Sequence, residues 1–102
     1  MPRSLPAFSA AQRRQLDALG ARLRLARKRR RLSTVLMAER VGISRDTFTR
    51  VEKGDPAVSL GIYLRVLRVL GLDSDLEALA KDDALGRKLQ DMELERPIRP
   101  TV

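Results

Sequence analysis

Apolar residues recur at intervals of three and four along the chain, and serines punctuate the intervals. Leu16, Leu19, Leu23 and Ala26 form the first stripe, a spacing that lies along one side of a helix. Ser9 followed by Gln12 fits a capping box, in which each side chain satisfies an N–H at the helix start. A long helix is predicted from about Ala10 to Arg30. Met37, Ala38 and Val41 share one face of a second segment, and Phe48 and Val51 share one face of a third. Ser33 and Ser44 stand at their N-cap positions, where a hydroxyl accepts a bond from an otherwise unpaired N–H. Between them Gly42 supplies the left-handed conformation that ends a helix cheaply. Ile43 sits in the turn, where both helices can pin it. Two capped helices around one glycine, within 33–54, make a helix-turn-helix.

The remaining pattern supports that element. Gly54-Asp55-Pro56-Ala57-Val58 is a loop, since glycine and proline close one helix and prevent its continuation. Ser59 then caps a helix over Leu60 to Leu70, ended by Gly71. This helix carries two apolar stripes, Leu60/Leu64/Leu67 and Ile62/Val66/Val69. A helix apolar nearly all round is buried on more than one side. The second stripe, Ile62, Val66 and Val69, is therefore expected at a dimer interface. Ser74 to Glu77 fits another capping box, opening a short helix through Leu76, Leu79 and Ala80. Lys81-Asp82-Asp83 interrupts the period, and Ala84 to Glu95 adds one or two turns with Leu85, Leu89 and Met92 on one side. Pro97 and Pro100 make the end an extended tail. The expected organisation is all-α: a flexible arm at 1–8, a domain at 9–81 and a C-terminal extension at 82–102.

The net +8 of the 102 residues is uneven. Residues 1–54 carry 14 Lys/Arg against 4 Asp/Glu, a net +10; residues 55–102 carry 7 against 9, a net −2. A basic half that contains the helix-turn-helix implies a polyanion partner at one end only. Seven of the ten positions 22–31 are basic: Arg22, Arg24, Arg27, Lys28, Arg29, Arg30 and Arg31. They spread around the helix, so about half are read as a solvated face. The last three also complement the negative end of the helix dipole.

A helix-turn-helix places its second helix in the major groove of DNA, while its first crosses the backbone. With Phe48 and Val51 turned inward, Arg45, Asp46, Thr49 and Arg50 are the outward positions and the expected base contacts. Arg45 and Arg50 can each fork onto guanine O6 and N7; Asp46 can accept from a cytosine amine, or hold Arg50 four residues on. Thr34, Thr47 and Lys53 are the expected phosphate contacts. Outside such a motif these arginines would be ordinary surface residues.

The pattern Ala38-Glu39-x-Val41-Gly42-Ile43-Ser44-x-x-Thr47-Phe48-x-x-Val51-Glu52-x-Gly54 resembles the xenobiotic-response-element and phage Cro/repressor family of regulators, over about residues 16–80. The resemblance implies a five-helix, lambda-repressor-like DNA-binding domain with a short C-terminal tail. It also implies operator binding as a homodimer, usually for repression. Arg45, Asp46, Thr49 and Arg50 match base-contact positions of that family, and Thr34 matches a phosphate-contact position. Where the family often has two acidic residues next, this chain has Val35 and Leu36, an apolar spot for DNA or a second partner. Asp82-Asp83-Ala84-Leu85-Gly86-Arg87-Lys88-Leu89-Gln90-Asp91 is similar to the ending of HipB-like antitoxins, which would add a HipA-like kinase toxin as partner. A stand-alone regulator, or a protein-interaction module that neutralises a kinase, are the alternatives.

The chain has no His and no Cys, which removes the usual general base, the thiolate nucleophile and the commonest zinc ligands. No catalytic residue, metal site or cofactor is expected. No secretory leader or membrane span is expected either, so the chain is read as cytoplasmic.

Overall fold

Serine hydroxyls start four of the helices. In the computed structural model, which describes residues 5–93, α1 (Ala10–Arg29) opens on the Ser9/Gln12 box. Ser9 Oγ accepts the Gln12 N–H at 3.1 Å, and Gln12 Oε1 accepts the Ser9 N–H at 3.0 Å. Ser33, Ser44 and Ser59 begin α2 (Thr34–Val41), α3 (Arg45–Glu52) and α4 (Leu60–Leu70), each accepting an N–H three residues on at 3.0–3.2 Å. Gly42, at φ 83°, ends α2 as expected, and Ile43 packs in the turn against the core. Two further helices follow, α5 (Ser74–Glu77) and α6 (Ala84–Glu93). All regular structure among the described residues is helical, with six helices where five and a tail were expected.

The Ser74/Glu77 capping box does not form. Its turn begins earlier, with the Asp75 N–H on the Leu72 carbonyl at 3.0 Å, so Ser74 lies inside the turn and Asp73 holds the cap position without a side-chain bond. Ala80, at φ 59°, follows it. Leu5–Phe8 are exposed and outside any helix, with the Arg13 guanidinium 5.8 Å from the Phe8 ring centre. The rest of the expected arm, and the tail with Pro97 and Pro100, lie outside the described residues.

Met37, Phe48, Val51 and Val66 are the fully buried centre, drawn from α2, α3 and α4. Leu23 and Ala26 of α1 complete the core on the other side. The expected dimer stripe is corrected here. Val66 is wholly enclosed by its own chain, and Ile62 and Val69 pack half-buried against the same core. Tyr63 sets this orientation. It is buried with Val66 and Leu70, and its hydroxyl donates to the Asp55 carbonyl at 2.8 Å, which lets an aromatic with a polar tip face inward. Leu60 and Leu64 are turned out instead, 63% and 38% exposed.

Two contacts lock α1 onto the end of α3. Gly20 lies against the α3 terminus, where a Cβ would stand 2.5 Å from the Glu52 carbonyl oxygen and the Gly54 nitrogen. Gly54 itself has φ +69° and lies against the Leu16 carbonyl, so any side chain there is both strained and obstructed. Close by, Arg27 and Glu52 form an ion pair with side chains only 11% and 9% exposed. Arg27 Nε and Nη2 donate to the two carboxylate oxygens at 2.7 and 3.1 Å, and Nη1 donates to the Leu32 carbonyl at 2.9 Å. One guanidinium thus ties α1, the α1–α2 loop and the end of α3.

Removing one partner of a buried pair strands the other charge, at a cost of about 3–5 kcal/mol. Arg27→Met is expected to lose that much in urea unfolding. Arg24→Met, on the exposed side of the same helix, should stay within about 0.5 kcal/mol of the parent. Equal losses from the two would remove the special role of the pair.

Candidate nucleic-acid interface

Burying Phe48 and Val51 fixes which side of α3 faces outward. Arg45, Asp46 and Thr49 are exposed there, and Thr47 and Arg50 are half-buried at its margins. The short polar side chains turn back on the helix itself. Ser44 Oγ donates to Thr47 Oγ1 at 2.9 Å while accepting the Thr47 N–H, and Thr49 Oγ1 donates to the Arg45 carbonyl at 3.0 Å. Arg45 and Asp46 keep their charged groups at the exposed N-terminal end. That end of a helix favours anions through its free N–H groups.

Arg50 differs from the expectation. Its sequence neighbour at four residues' distance, Asp46, does not hold it; Asp55 does, with Nε donating to Oδ2 at 2.8 Å. The loop after α3 curls back because the Asp55 N–H bonds the Arg50 carbonyl at 3.0 Å, which delivers the carboxylate to the guanidinium. Asp55 Oδ1 accepts the Ala57 N–H at 2.8 Å. The bond from Arg50, then that from Ala57, holds the Asp55 carboxyl below its ordinary value. The same bond raises Arg50. Burial, the larger cause, and the nearby Asp55 charge push the Tyr63 hydroxyl up. Neither Asp55 nor Tyr63 was singled out by the apolar periodicity. A short acid five residues after an outward arginine, with proline next, was the available signal.

The expected phosphate contacts are distributed over the start of α2 and the two ends of α3. Thr34 is half-buried at the start of α2, beside Val35, which is 50% exposed, and half-buried Leu36. Lys53 caps the opposite end of α3, exposed next to Arg24 and Lys28 of α1 in a shallow depression. Of the seven basic residues at 22–31, Arg27 is spent inside the protein and the other six are exposed. Arg30 Nη1 donates to the Ala26 carbonyl at 2.8 Å, covering the end of α1. Beyond the motif, α6 stands with Leu85, Leu89 and Met92 exposed along one side. Its first turn is capped by Asp83 Oδ1 on the Gly86 N–H at 2.8 Å.

Among the described residues no group of acidic side chains is arranged to hold a metal ion, and no helix is long and apolar enough to cross a membrane. A family model described as a helix-turn-helix domain matches residues 18–80. No curated protein matches the chain.

The Asp55 shift gives a titration to check. A depressed carboxylate contributes stability that is present above its unfolded value and is lost as pH falls through the folded value. The Arg50–Asp55 bond should therefore survive at pH 3.8, the ordinary value, and open only below it. Carboxyl carbon shifts followed by NMR are expected to place the Asp55 midpoint below 3.8, with Arg50→Ala moving it upward. An unchanged midpoint in the variant would contradict the assignment of cause.

Proposed function

This chain belongs to the helix-turn-helix domain family, and we propose that it is a sequence-specific transcriptional repressor that binds operator DNA in the cytoplasm. The observation that carries this reading is the outward side of α3. Arg45, Asp46 and Thr49 are exposed on a short helix braced by a buried ion pair, within the half of the chain that carries the net +10. In this reading α3 enters the major groove and α2 lies across the backbone. Arg45 and Arg50 fork onto guanines, Asp46 accepts from a cytosine amine, and Thr49 contacts an adjacent base. Thr34 and Thr47 meet phosphates near the groove, whereas Lys53, with Arg24 and Lys28, adds positive potential from the far end of α3.

Operator binding as a homodimer belongs to the same proposal. With Val66 enclosed, Leu60 and Leu64, exposed on one side of α4, are the residues that support self-association. A second reading is favoured by α6. Its exposed Leu85, Leu89 and Met92 present helical anchors to a protein partner. Together with the resemblance of residues 82–91, this supports a HipB-like antitoxin bound to a HipA-like kinase toxin. A kinase reading frame beside the gene would favour the antitoxin; without one, the chain is a stand-alone regulator.

Affinity for the chain's own upstream DNA is expected to exceed that for random duplex by roughly a hundredfold or more, and to fall steeply with salt. Equal affinities would remove the repressor reading. Arg45→Ala should cost about 1–3 kcal/mol of discrimination at one base pair, while Lys53→Ala should weaken all sequences alike. Sedimentation at micromolar concentration without DNA should give the mass of two chains; the mass of one would remove the preformed dimer.

A further inference from the structure

Arg45 and Arg50 both project from α3, but only Arg50 has a carboxylate partner among the described residues. Every polar position of that partner is in use. Asp55 Oδ2 accepts Arg50 Nε at 2.8 Å and Oδ1 accepts the Ala57 N–H at 2.8 Å. Its N–H bonds the Arg50 carbonyl at 3.0 Å, and its carbonyl accepts the Tyr63 hydroxyl of α4 at 2.8 Å. The loop therefore holds the carboxylate through the Ala57 N–H, α4 holds the Asp55 backbone through Tyr63, and the carboxylate holds the arginine in turn. With Nε occupied, the terminal nitrogens Nη1 and Nη2 remain for an end-on fork onto one acceptor pair.

We propose that Asp55 is a positioning residue for sequence recognition, fixing the Arg50 guanidinium so that Nη1 and Nη2 present one preset fork to a base edge. The inference rests on the DNA-reading function proposed above and names how one of its contacts acquires selectivity. Two physical effects act together. An arginine ordered before binding loses less conformational freedom when it meets its base. The adjacent carboxylate also offsets the arginine's charge, so attraction to any phosphate is weakened more than a directed fork to guanine. Asp55 thereby favours discrimination at the expense of indiscriminate affinity.

The test is competition binding with an operator duplex and its single-base-pair variants. Arg50→Ala first identifies the base pair whose discrimination depends on Arg50. Asp55→Asn keeps an acceptor for the Ala57 N–H but loses the charge that holds Nε. It is expected to lose roughly fivefold or more of the discrimination at that same pair, while gaining affinity for random duplex. Combining it with Arg50→Ala should cause no further loss at that pair. Asp55→Ser, which also accepts from Ala57, repeats the measurement should the asparagine variant unfold, and thermal melting reports that directly. Full discrimination in a folded Asp55 variant overturns the proposal, as does an equal loss at every base pair. If Arg50→Ala discriminates like the parent, Arg50 is not a base contact and the inference falls while the repressor reading stands. A parent chain with no base preference removes both.

Discussion

Arg27 brings a permanent charge to a side of α1 that otherwise buries Gly20, Leu23 and Ala26, and Glu52 answers it from the last turn of α3. Taking two charges out of water is costly unless the geometry returns the loss. Here a two-pronged bond to the carboxylate and a third bond to the Leu32 carbonyl satisfy the guanidinium. That geometry is narrow, since a planar fork accepts its partner in few orientations. A slip of α3 against α1 would leave both charges stranded, so the pair acts as a register pin. Gly20 and Gly54 permit the close approach the pin requires, because a methyl group at either position meets backbone. The placement of the outward residues of α3 follows from this joint.

Polar chemistry on and around α3 is divided by side. Its inner end is occupied by Glu52 for the fold. Its outer N-terminal end leaves the Arg45 and Asp46 side chains without an ion-pair partner among the described residues, with the threonine hydroxyls satisfied locally. Arg50 is intermediate, attached through Asp55 to a loop that Tyr63 fastens to α4. The hydrophobic packing and the ordered arginine are thus parts of one network. The abundance of basic residues at 22–31 overstates the free positive surface there, because one of the seven, Arg27, is structural.

Local rules made most of the fold legible. The serines that cap α1 to α4, and the glycines at 42 and 71, mark ends through bonds between near neighbours, so pattern alone placed those helices well. Long-range satisfaction was less legible. Arg27 falls four residues after Leu23, on the buried stripe, yet its partner lies 25 residues away. The two apolar stripes of α4 leave out Tyr63, whose buried ring turns Val66 to the centre and not to an interface. Ser74 matched a capping motif in letters, but the preceding turn had already begun at Leu72. In the candidate site, the outward exposure of Arg45, Asp46 and Thr49 followed from burying Phe48 and Val51. The Arg50–Asp55 bond did not, because it depends on how a loop folds back.

Contact between the outward side of α3 and DNA can be read by following backbone and arginine side-chain NMR signals as duplex from the chain's own upstream region is added. The largest changes are expected at Arg45–Arg50 and at the start of α2, with smaller ones at Lys53, Arg24 and Lys28. Changes concentrated on α6 or on the outer side of α4, with α3 unaffected, would contradict that contact.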